Sequence, residues 1–382
     1  MVTAAALVAE LTQARYPDLK IPYHSRWRHF EAGGVDRLAK LNRALGDALP
    51  AEKAHAQIDL ALVSVLLDAG AGANWTYLES SEGERPAHRY SRSEGLGVAS
   101  FHAFMGGLFS SDATRPLQAD ANGLQAVTAV QLGAAFQVTA SNPLVGLEGR
   151  ADLLRRLGQA LHDQPGLFGQ PGRPGHLFDL LTKESKGGAQ GQASIQAHGL
   201  LSVLLTGLAP IWPAQNTLKN IALGDCWKHP AACGDEAGTE QTGLSNGWMP
   251  FHKLSQWLTY SLLEPFEWAG VRVEGLDALT GLPEYRNGGL FLDVGVLRLK
   301  DPAHEDRLHA AGDELIVEWR ALTVALLDEL APLVRAQLGL TAEQMPLACV
   351  LEGGTWAAGR ALAQQLHGGN PPLNIQSDGT VF

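Results

Sequence analysis

Apolar side chains recur at the helical period over most of the 382-residue chain. In 55–69, Ile58, Leu62 and Val65 fall on one stripe, and the run stops at Gly70, a residue type that commonly follows the end of a helix. The periodicity predicts helices over 2–14, 35–48, 55–69, 150–163, 195–208, 250–264, 313–331 and 355–367.

Strand signals are sparse by comparison. Val271 and Val273 alternate with charged residues, and 290–294 could be either extended or coiled. Pro265 is predicted to end the helix over 250–264, because proline lacks the backbone N–H that a helix needs. No GxGxxG motif follows a strand, which disfavours a dinucleotide-binding α/β fold. The sequence therefore predicts a mainly α protein, a compact multi-helix domain with few short strands.

The domain organisation is interpreted as one domain over 1–382, with the Pro- and Gly-rich segment 164–175 as the place where two lobes would meet. Four glycine pairs are predicted to form tight turns whose backbone amides can approach a ligand closely. These pairs are Gly33-Gly34, Gly106-Gly107, Gly288-Gly289 and Gly353-Gly354.

Composition narrows the class of partner. The chain is 45% hydrophobic and carries 29 Lys+Arg against 40 Asp+Glu, a formal net charge of -11. The sequence shows no basic face that would bind nucleic acid and no apolar run long enough to span a bilayer. A small-molecule substrate is therefore expected, and the oligomeric state stays open. Three cysteines are too few for a disulfide scaffold, and the first residues lack a basic signal-peptide region, which favours a cytoplasmic location.

The segment 21–37 concentrates charged side chains before a predicted helix. It contains His24, Arg26, Arg28 and Glu31. One interpretation is a pocket for an anionic or polar substrate, because arginine binds carboxylates and phosphates through two donors at once. The other is a lattice of arginines and carboxylates that holds the N-terminal helix in place.

The segment 224–233 offers potential metal ligands and an acid. Cys226, His229 and Cys233 are ligand types that zinc accepts, but a structural zinc site needs a fourth ligand and no CxxC pair is present. Asp225, which lies beside a tryptophan, could have a raised pKa suited to proton transfer.

The segment 281–293 is the third candidate. It places Glu284 and Asp293 where they could face a reacting group, with Arg286 orienting a carboxylate and Tyr285 stacking or donating a hydrogen bond. So many polar groups would be costly to bury without a ligand or dense partners, which favours function over a simple turn.

Aromatic and polar residues elsewhere could line the same cleft. Thr355 is interpreted as a helix N-cap, with Trp356 directly after it. Trp75 adds a second aromatic group, and Arg320 would need a partner if its helix is buried. HExxH and P-loop motifs are absent from the sequence, so carboxylate chemistry is favoured and no cofactor is expected.

Taken together, these segments resemble the uracil-catabolism proteins of the URC pyrimidine-degradation route. The motifs that carry the resemblance are IPYHSRWRHFEAGGVDR at 21–37, YSRSEGLGVASFHAFMGGLFS at 90–110, NPLVGLEGRADLLRRLG at 142–158, LGDCWKH at 223–229, PFHKLSQWLTYSLLEP at 250–265, GLPEYRNGGLFLDVGVL at 281–297 and LEGGTWAAGR at 351–360. The resemblance implies a ribosylurea-type intermediate that must yield urea and a pentose. The segment at 284–297 is also similar to a DYRVPQ…LGVL motif of queuosine-salvage N-glycosylases, with Glu284 in place of its aspartate and without its Pro and Gln. That similarity implies a shape like the helix-hairpin-helix DNA glycosylases.

The resulting hypothesis is hydrolysis of an N-glycosidic bond. Such cleavage needs a carboxylate beside the oxocarbenium ion and a donor to the departing nitrogen. Glu284 or Asp225 is expected to supply the carboxylate, with Asp293 and Glu31 as alternates. The remaining expected substrate contacts are His24, Arg26, Arg28, Trp75, Tyr285, Arg286 and Trp356. The alternatives are a metal-dependent ureide hydrolase that uses Cys226, His229 and Asp225, and a non-catalytic protein that binds a pathway intermediate.

Overall fold

A computed structural model of the chain describes residues 1–80, 86–183, 193–212, 216–233 and 243–376, and these residues form two units. Unit 1 comprises the described residues of Met1–His24, Pro213–Gln256 and Leu276–Phe382. Unit 2 comprises those of Ser25–Trp212 and Trp257–Gly275.

Helices account for most of the regular structure, which confirms the mainly α prediction. The α-helices are α1 (Val2–Arg15), α2 (Trp27–Phe30), α3 (Arg37–Ala44), α4 (Pro50–Leu66), α5 (Arg92–Met105), α6 (Ala121–Ala126), α7 (Ala129–Ala135), α8 (Leu147–Asp163), α9 (Pro165–Phe168), α10 (His176–Lys183), α11 (Ala197–Leu208), α12 (Lys253–Trp268), α13 (Tyr285–Asp293), α14 (Glu314–Leu338), α15 (Leu347–Val350) and α16 (Trp356–His367). A π-helical turn, Leu351–Thr355, joins α15 to α16. Every helix that the periodicity predicts overlaps one of these, and the uncertain run 290–294 lies mostly in α13.

The strands are short and form two-stranded sheets. They are β1 (Thr76–Glu79), β2 (His88–Ser91), β3 (Ser194–Gln196), β4 (Thr217–Leu218), β5 (Ile221–Ala222), β6 (Cys226–Lys228), β7 (Trp248–Pro250), β8 (Arg272–Glu274), β9 (Leu308–His309) and β10 (Asn374–Ile375). β1 pairs antiparallel with β2, β4 with β5 and β6 with β7, whereas β3 with β8 and β9 with β10 are parallel pairs. The predicted alternation around Val273 corresponds to β8.

The centre of unit 2 is α4, which is buried along almost its whole length from Ala54 to Leu66. Pro50 occupies the first turn of this helix, where its missing N–H costs nothing. The segment 164–175 lies inside unit 2, because Arg173 and Gly175 both donate hydrogen bonds to Asp59 of α4. The boundaries between the units therefore fall elsewhere in the chain.

The prediction that Pro265 ends its helix is wrong, because α12 continues to Trp268. Proline at this position removes the N–H that would otherwise reach the main-chain oxygen of Ser261. That oxygen accepts a hydrogen bond of 2.8 Å from Trp27 Nε1 instead. A tertiary donor thus compensates for the helical donor that proline lacks.

Two of the four predicted glycine turns are also wrong. Gly288-Gly289 lies within α13, and Gly353-Gly354 lies within the π-helical turn, so neither pair presents free amides. Instead, these glycines allow helices to pack closely. A Cβ on Gly354 would lie 2.4 Å from the main-chain oxygen of Val8 on α1, and one on Gly359 would lie 1.9 Å from that of Arg286. In contrast, Gly33, Gly34 and Gly107 have positive φ and do form turns.

No helix in the described ranges has both the length and the unbroken apolar character that crossing a bilayer requires.

Candidate functional site

The side chains singled out from the sequence divide between the two units. Unit 1 holds His24, Asp225, Glu284, Tyr285, Arg286, Asp293 and Trp356, and unit 2 holds Arg26, Arg28, Glu31 and Trp75. Each set is described within its own unit.

Glu284 is the N-cap of α13. Its carboxyl oxygens accept hydrogen bonds from the backbone N–H groups of Asn287, at 2.6 Å, and Arg286, at 2.9 Å. Burial raises the pKa of Glu284 above its ordinary value, although those two donors and the positive charges of Lys253 and His24 act in the opposite direction. Glu284 is thus a carboxyl group held rigidly in place, with a proton affinity above that of a solvent-exposed glutamate.

His24 belongs to a buried ionic network centred on Glu352. Glu352 accepts hydrogen bonds from His24 Nδ1 at 2.8 Å, Arg15 Nη2 at 2.7 Å and the hydroxyl of Tyr16 at 3.0 Å. Burial opposes ionisation of Glu352, but the hydrogen bond and charge of His24 and the charge of Arg15 outweigh it and lower its pKa to about 2. Glu352 therefore stays ionised at neutral pH and orients the imidazole of His24.

The two acids are connected through the packing of α13 against the π-helical turn. The hydroxyl of Thr355 donates to the side-chain oxygen of Asn287 at 2.9 Å, and Asn287 Nδ2 donates to the main-chain oxygen of Leu282. Thr355 has helical backbone angles and makes no capping bond, so its interpretation as an N-cap is wrong. The hydroxyl instead joins the start of α13 to the segment that carries Glu352.

Trp356 follows directly and lies near the same network. Its ring centroid is 6.2 Å from that of His24, and the Arg360 guanidinium lies 5.4 Å from the Trp356 ring centroid. We call His24, Lys253, Glu284, Glu352 and Trp356 the Glu284 cluster. Sequence reasoning missed Glu352 and Lys253. Glu352 has no distinguishing local signal, because its role arises from Arg15 and His24, more than 320 positions away in the chain.

Asp225 has a different role from the one expected. Arg320 binds both carboxyl oxygens of Asp225 at 2.7 Å. Trp227 Nε1 and the backbone N–H of Lys253 also donate hydrogen bonds to this carboxylate. Burial favours the neutral acid, but Arg320 and these donors outweigh it, so the pKa of Asp225 lies below its ordinary value. The expectation of a raised pKa is therefore wrong, because every lone pair direction already has a donor. Arg320, whose need for a partner is thereby met, also donates to the main-chain oxygen of Pro283, next to Glu284.

The possible zinc ligands do not assemble. His229 Nδ1 accepts from the backbone N–H of Ala231, Asp225 is bound by Arg320, and burial, aided by the charge of Asp225, raises the pKa of the Cys226 thiol to about 11. Within the described part of the chain, no group of three or more His, Cys, Asp or Glu side chains is arranged to hold a metal ion.

The other members of segment 281–293 lie further along α13. The Arg286 guanidinium lies 4.8 Å from the ring centroid of Tyr285 and donates to the main-chain oxygen of Gly369. Asp293, the last residue of α13, pairs with His367 at 2.8 Å.

In unit 2, Arg26 and Arg28 of segment 25–37 pair with carboxylates, but these lie directly after α4, on α12 and within the segment rather than on the N-terminal helix α1. The Arg26 side chain is fully buried, where it donates to Ser64 Oγ at 2.6 Å and pairs with Asp68 at 3.2 Å. Burial lowers the pKa of Arg26, and Asp68 only partly offsets this. These contacts occupy Arg26 with protein partners on α4 and directly after it.

Arg28 continues the lattice, because it binds Glu264 at 2.9 Å and Glu31 at 3.1 Å. Burial raises the pKa of Glu264 to about 7 even though Arg28 and the Ser25 hydroxyl stabilise its charged form. Trp75 lies in the core of unit 2, with Nε1 donating to the main-chain oxygen of Phe136.

The fold and these contacts define a mainly α protein with a buried network of carboxylates, imidazole and arginine in unit 1. A family model described as "Protein of unknown function (DUF1688)" matches residues 1–382, and the chain belongs to this family. It is 42% identical over 373 residues to "Protein urg3" of Schizosaccharomyces pombe, covering 95% of this chain and 84% of that protein. It is 39% identical over 391 residues to "Uracil catabolism protein 4" of Lachancea kluyveri, covering 95% of this chain and 85% of that protein. The resemblance to uracil-catabolism proteins that the sequence motifs indicate is therefore confirmed.

Proposed function

We propose that this protein acts in uracil catabolism and hydrolyses the N-glycosidic bond of a ribosylurea or nucleotide-like intermediate at the Glu284 cluster. The similarity to uracil catabolism protein 4 of Lachancea kluyveri supports the metabolic role. The observation that carries the chemical proposal is the contrast between two glutamates of unit 1, the half-buried Glu284 and the buried Glu352. Glu284 has a raised pKa, whereas Glu352 has a pKa of about 2 and binds His24. Environments that separate the pKa values of neighbouring groups are characteristic of acid–base catalysis.

Glu284 is the proposed carboxylate. Cleavage of the C–N bond develops positive charge on the anomeric carbon, and a carboxylate close to that carbon stabilises the charge. The attacking water then gives its proton to Glu284 as the new C–O bond forms. A raised pKa increases the strength of Glu284 as a base, and the two amide donors of α13 fix its orientation.

His24 is the proposed donor to the leaving group. Its Nδ1 is held by Glu352, so its Nε2 is the atom left to deliver a proton to the departing urea nitrogen. Ionised Glu352 binds Nδ1 and so holds the ring of His24 in a fixed orientation for this step. Trp356, whose ring lies beside the imidazole, supplies a flat surface on which a planar ureide can stack.

For the role of the carboxylate, the structure favours Glu284 over Asp225, because both carboxyl oxygens of Asp225 are bound by Arg320 in an ion pair. It also removes a reason to assign phosphate binding to Arg26, which is buried against Asp68. The metal-dependent alternative has no supporting arrangement of ligands in the described residues.

The test is to incubate the protein with ribosylurea, with its 5′-phosphate and with UMP, and to assay urea and free pentose. We expect one ribosylated substrate to release both products in equal amounts. The Glu284→Gln variant keeps the shape of the side chain and should lose at least about a hundredfold in kcat, the usual scale of a general base. The matched control is Glu343→Gln, an exposed glutamate of unit 1, which should keep wild-type turnover.

Turnover at the wild-type rate in Glu284→Gln would reject the assignment of the carboxylate. Binding of ribosylurea, detected as a shift in melting temperature, without any product would reject hydrolysis and favour the non-catalytic binding protein.

A further inference from the structure

A second cleft of unit 1 lies at the far end of α13, outside the Glu284 cluster. It has a volume of about 370 Å³, within the range of small-molecule sites. One wall is apolar and consists mainly of Leu292, Leu297 and Leu299, which pack against the core around Trp319. The cleft can therefore accommodate a short hydrocarbon chain.

The residues that line the cleft also include a buried carboxylate that its protein partner leaves half satisfied. The side chain of Asp293 is 4% exposed, and His367 Nε2 lies 2.8 Å from its Oδ1. Asp293 Oδ2 is buried and has no hydrogen-bond partner among the described residues. Since a buried carboxylate oxygen without a donor is costly, Asp293 Oδ2 is an acceptor that an N–H or O–H group of a ligand or of water would satisfy.

The local electrostatics favour a positively charged donor. Asp293 is the last residue of α13 and His367 is the last residue of α16, so two helix C-termini, each with partial negative charge, end at this cleft. Glu305 lies on the exposed rim and adds a negative charge, while Arg298 on the same rim opposes it. Rim charges are screened by solvent, so the buried carboxylate and the helix ends dominate.

We infer that this cleft binds a small organic cation, an alkylammonium whose charged nitrogen donates to Asp293 Oδ2 and whose short chain lies on the leucine wall. Such a site is independent of the Glu284 cluster and does not depend on the function proposed for it. A charge-assisted hydrogen bond to a carboxylate that is only 4% exposed supplies the affinity, and the apolar wall supplies the preference for a hydrocarbon chain.

The experiment is calorimetric titration of the full-length protein with three probes of similar size: n-butylammonium, butyramide and butyrate. We expect saturable binding of n-butylammonium, weaker binding of the neutral amide and no saturable binding of butyrate. The Asp293→Asn variant should bind n-butylammonium about tenfold more weakly, because the charge of the acceptor is lost. Glu343→Gln, which removes a distant exposed carboxylate, should bind it like the wild type.

If Asp293→Asn fails to fold, substitutions of two exposed residues at the rim of the cleft still test the inference. Arg298→Glu should raise the affinity for n-butylammonium a few-fold, and Glu305→Lys should lower it by a similar factor. The inference is overturned if no probe binds saturably, which would mean that water alone satisfies Asp293. It is equally overturned if butyrate binds as well as the amine, or if folded Asp293→Asn retains wild-type affinity.

Discussion

The indole N–H of Trp27 donates to the main-chain oxygen of Ser261, the oxygen that Pro265 leaves without a helical donor. This bond is buried, since Trp27 is only 2% exposed. It allows α12 to continue through a proline, and it attaches the start of segment 25–37 to that helix.

Replacing Trp27 with Phe should therefore destabilise the protein by about 1–3 kcal/mol, because the Ser261 oxygen is left buried and unpaired. The cost should be smaller in a Pro265→Ala background, where an alanine N–H can supply the missing helical bond. Urea unfolding of the two single variants and the double variant measures this coupling. If Trp27→Phe costs the same in both backgrounds, the indole does not substitute for the helical donor.

The pairing of Asp225 with Arg320 predicts a variant that loses stability rather than only activity. In Asp225→Asn the Arg320 guanidinium, 1% exposed, would lose the carboxylate charge that both of its Nη atoms bind. We expect a loss of about 3–5 kcal/mol in the free energy of unfolding. Glu318→Gln on the exposed face of the same helix is the matched control and should change it little. A stable, folded Asp225→Asn protein would show that Arg320 has other means of compensation.

Glu264 predicts a stability that falls as the pH rises. Its pKa is raised from the ordinary 4.5 to about 7, so between these pH values the folded protein holds a proton that the unfolded chain releases. The contribution of this group is fully present below pH 4.5 and is lost as the pH rises through about 7. The slope should approach about 1.4 kcal/mol per pH unit and should disappear in Glu264→Gln. Unfolding measured across this window checks it, and parallel profiles for the two proteins would contradict it.

Glu352 predicts the opposite dependence in acid. Its pKa is lowered to about 2, so its contribution is present above the ordinary value of 4.5 and is lost as the pH falls towards 2. Wild-type stability should decline over this interval more steeply than that of Glu352→Gln. The variant should also be less stable at neutral pH, because His24 and Arg15 lose their shared partner. Equal acid sensitivity of both proteins would argue against the network.

The sequence was sufficient to predict the mainly α architecture and the positions of its long helices, because apolar periodicity is a local property of each segment. The sequence could not predict that α12 continues through Pro265 or that Gly354 packs closely against α1. Both features depend on residues distant in the chain, Trp27 and Val8. Dependence on distant residues also explains why the sequence predicts the candidate site only in part. The polar neighbours of Glu284 make it a candidate in the sequence, but the same reasoning predicts a raised pKa for Asp225, because its partner Arg320 is 95 positions away.

The contrast between the two interpretations of segment 21–37 has the same origin. Arginine and histidine side chains look alike in sequence whether they face a ligand or a carboxylate. Only the positions of Asp68 and Glu264 show that Arg26 and Arg28 are held by protein partners. Glu352, at the centre of the network around His24, was missed because a single glutamate between Leu and Gly carries no local signal.

The π-helical turn Leu351–Thr355 fixes the phase between the helix that precedes it and α16. Such a turn accommodates one residue more than an α-helix would over the same rise. Winding the same five residues as a regular α-helix would rotate everything beyond them by roughly 100° about the axis, whereas deleting one residue would restore the α-helix with its phase kept. In the first case Trp356 would rotate away from the imidazole of His24, so the winding of this short stretch, rather than any one side chain in it, sets where the indole points.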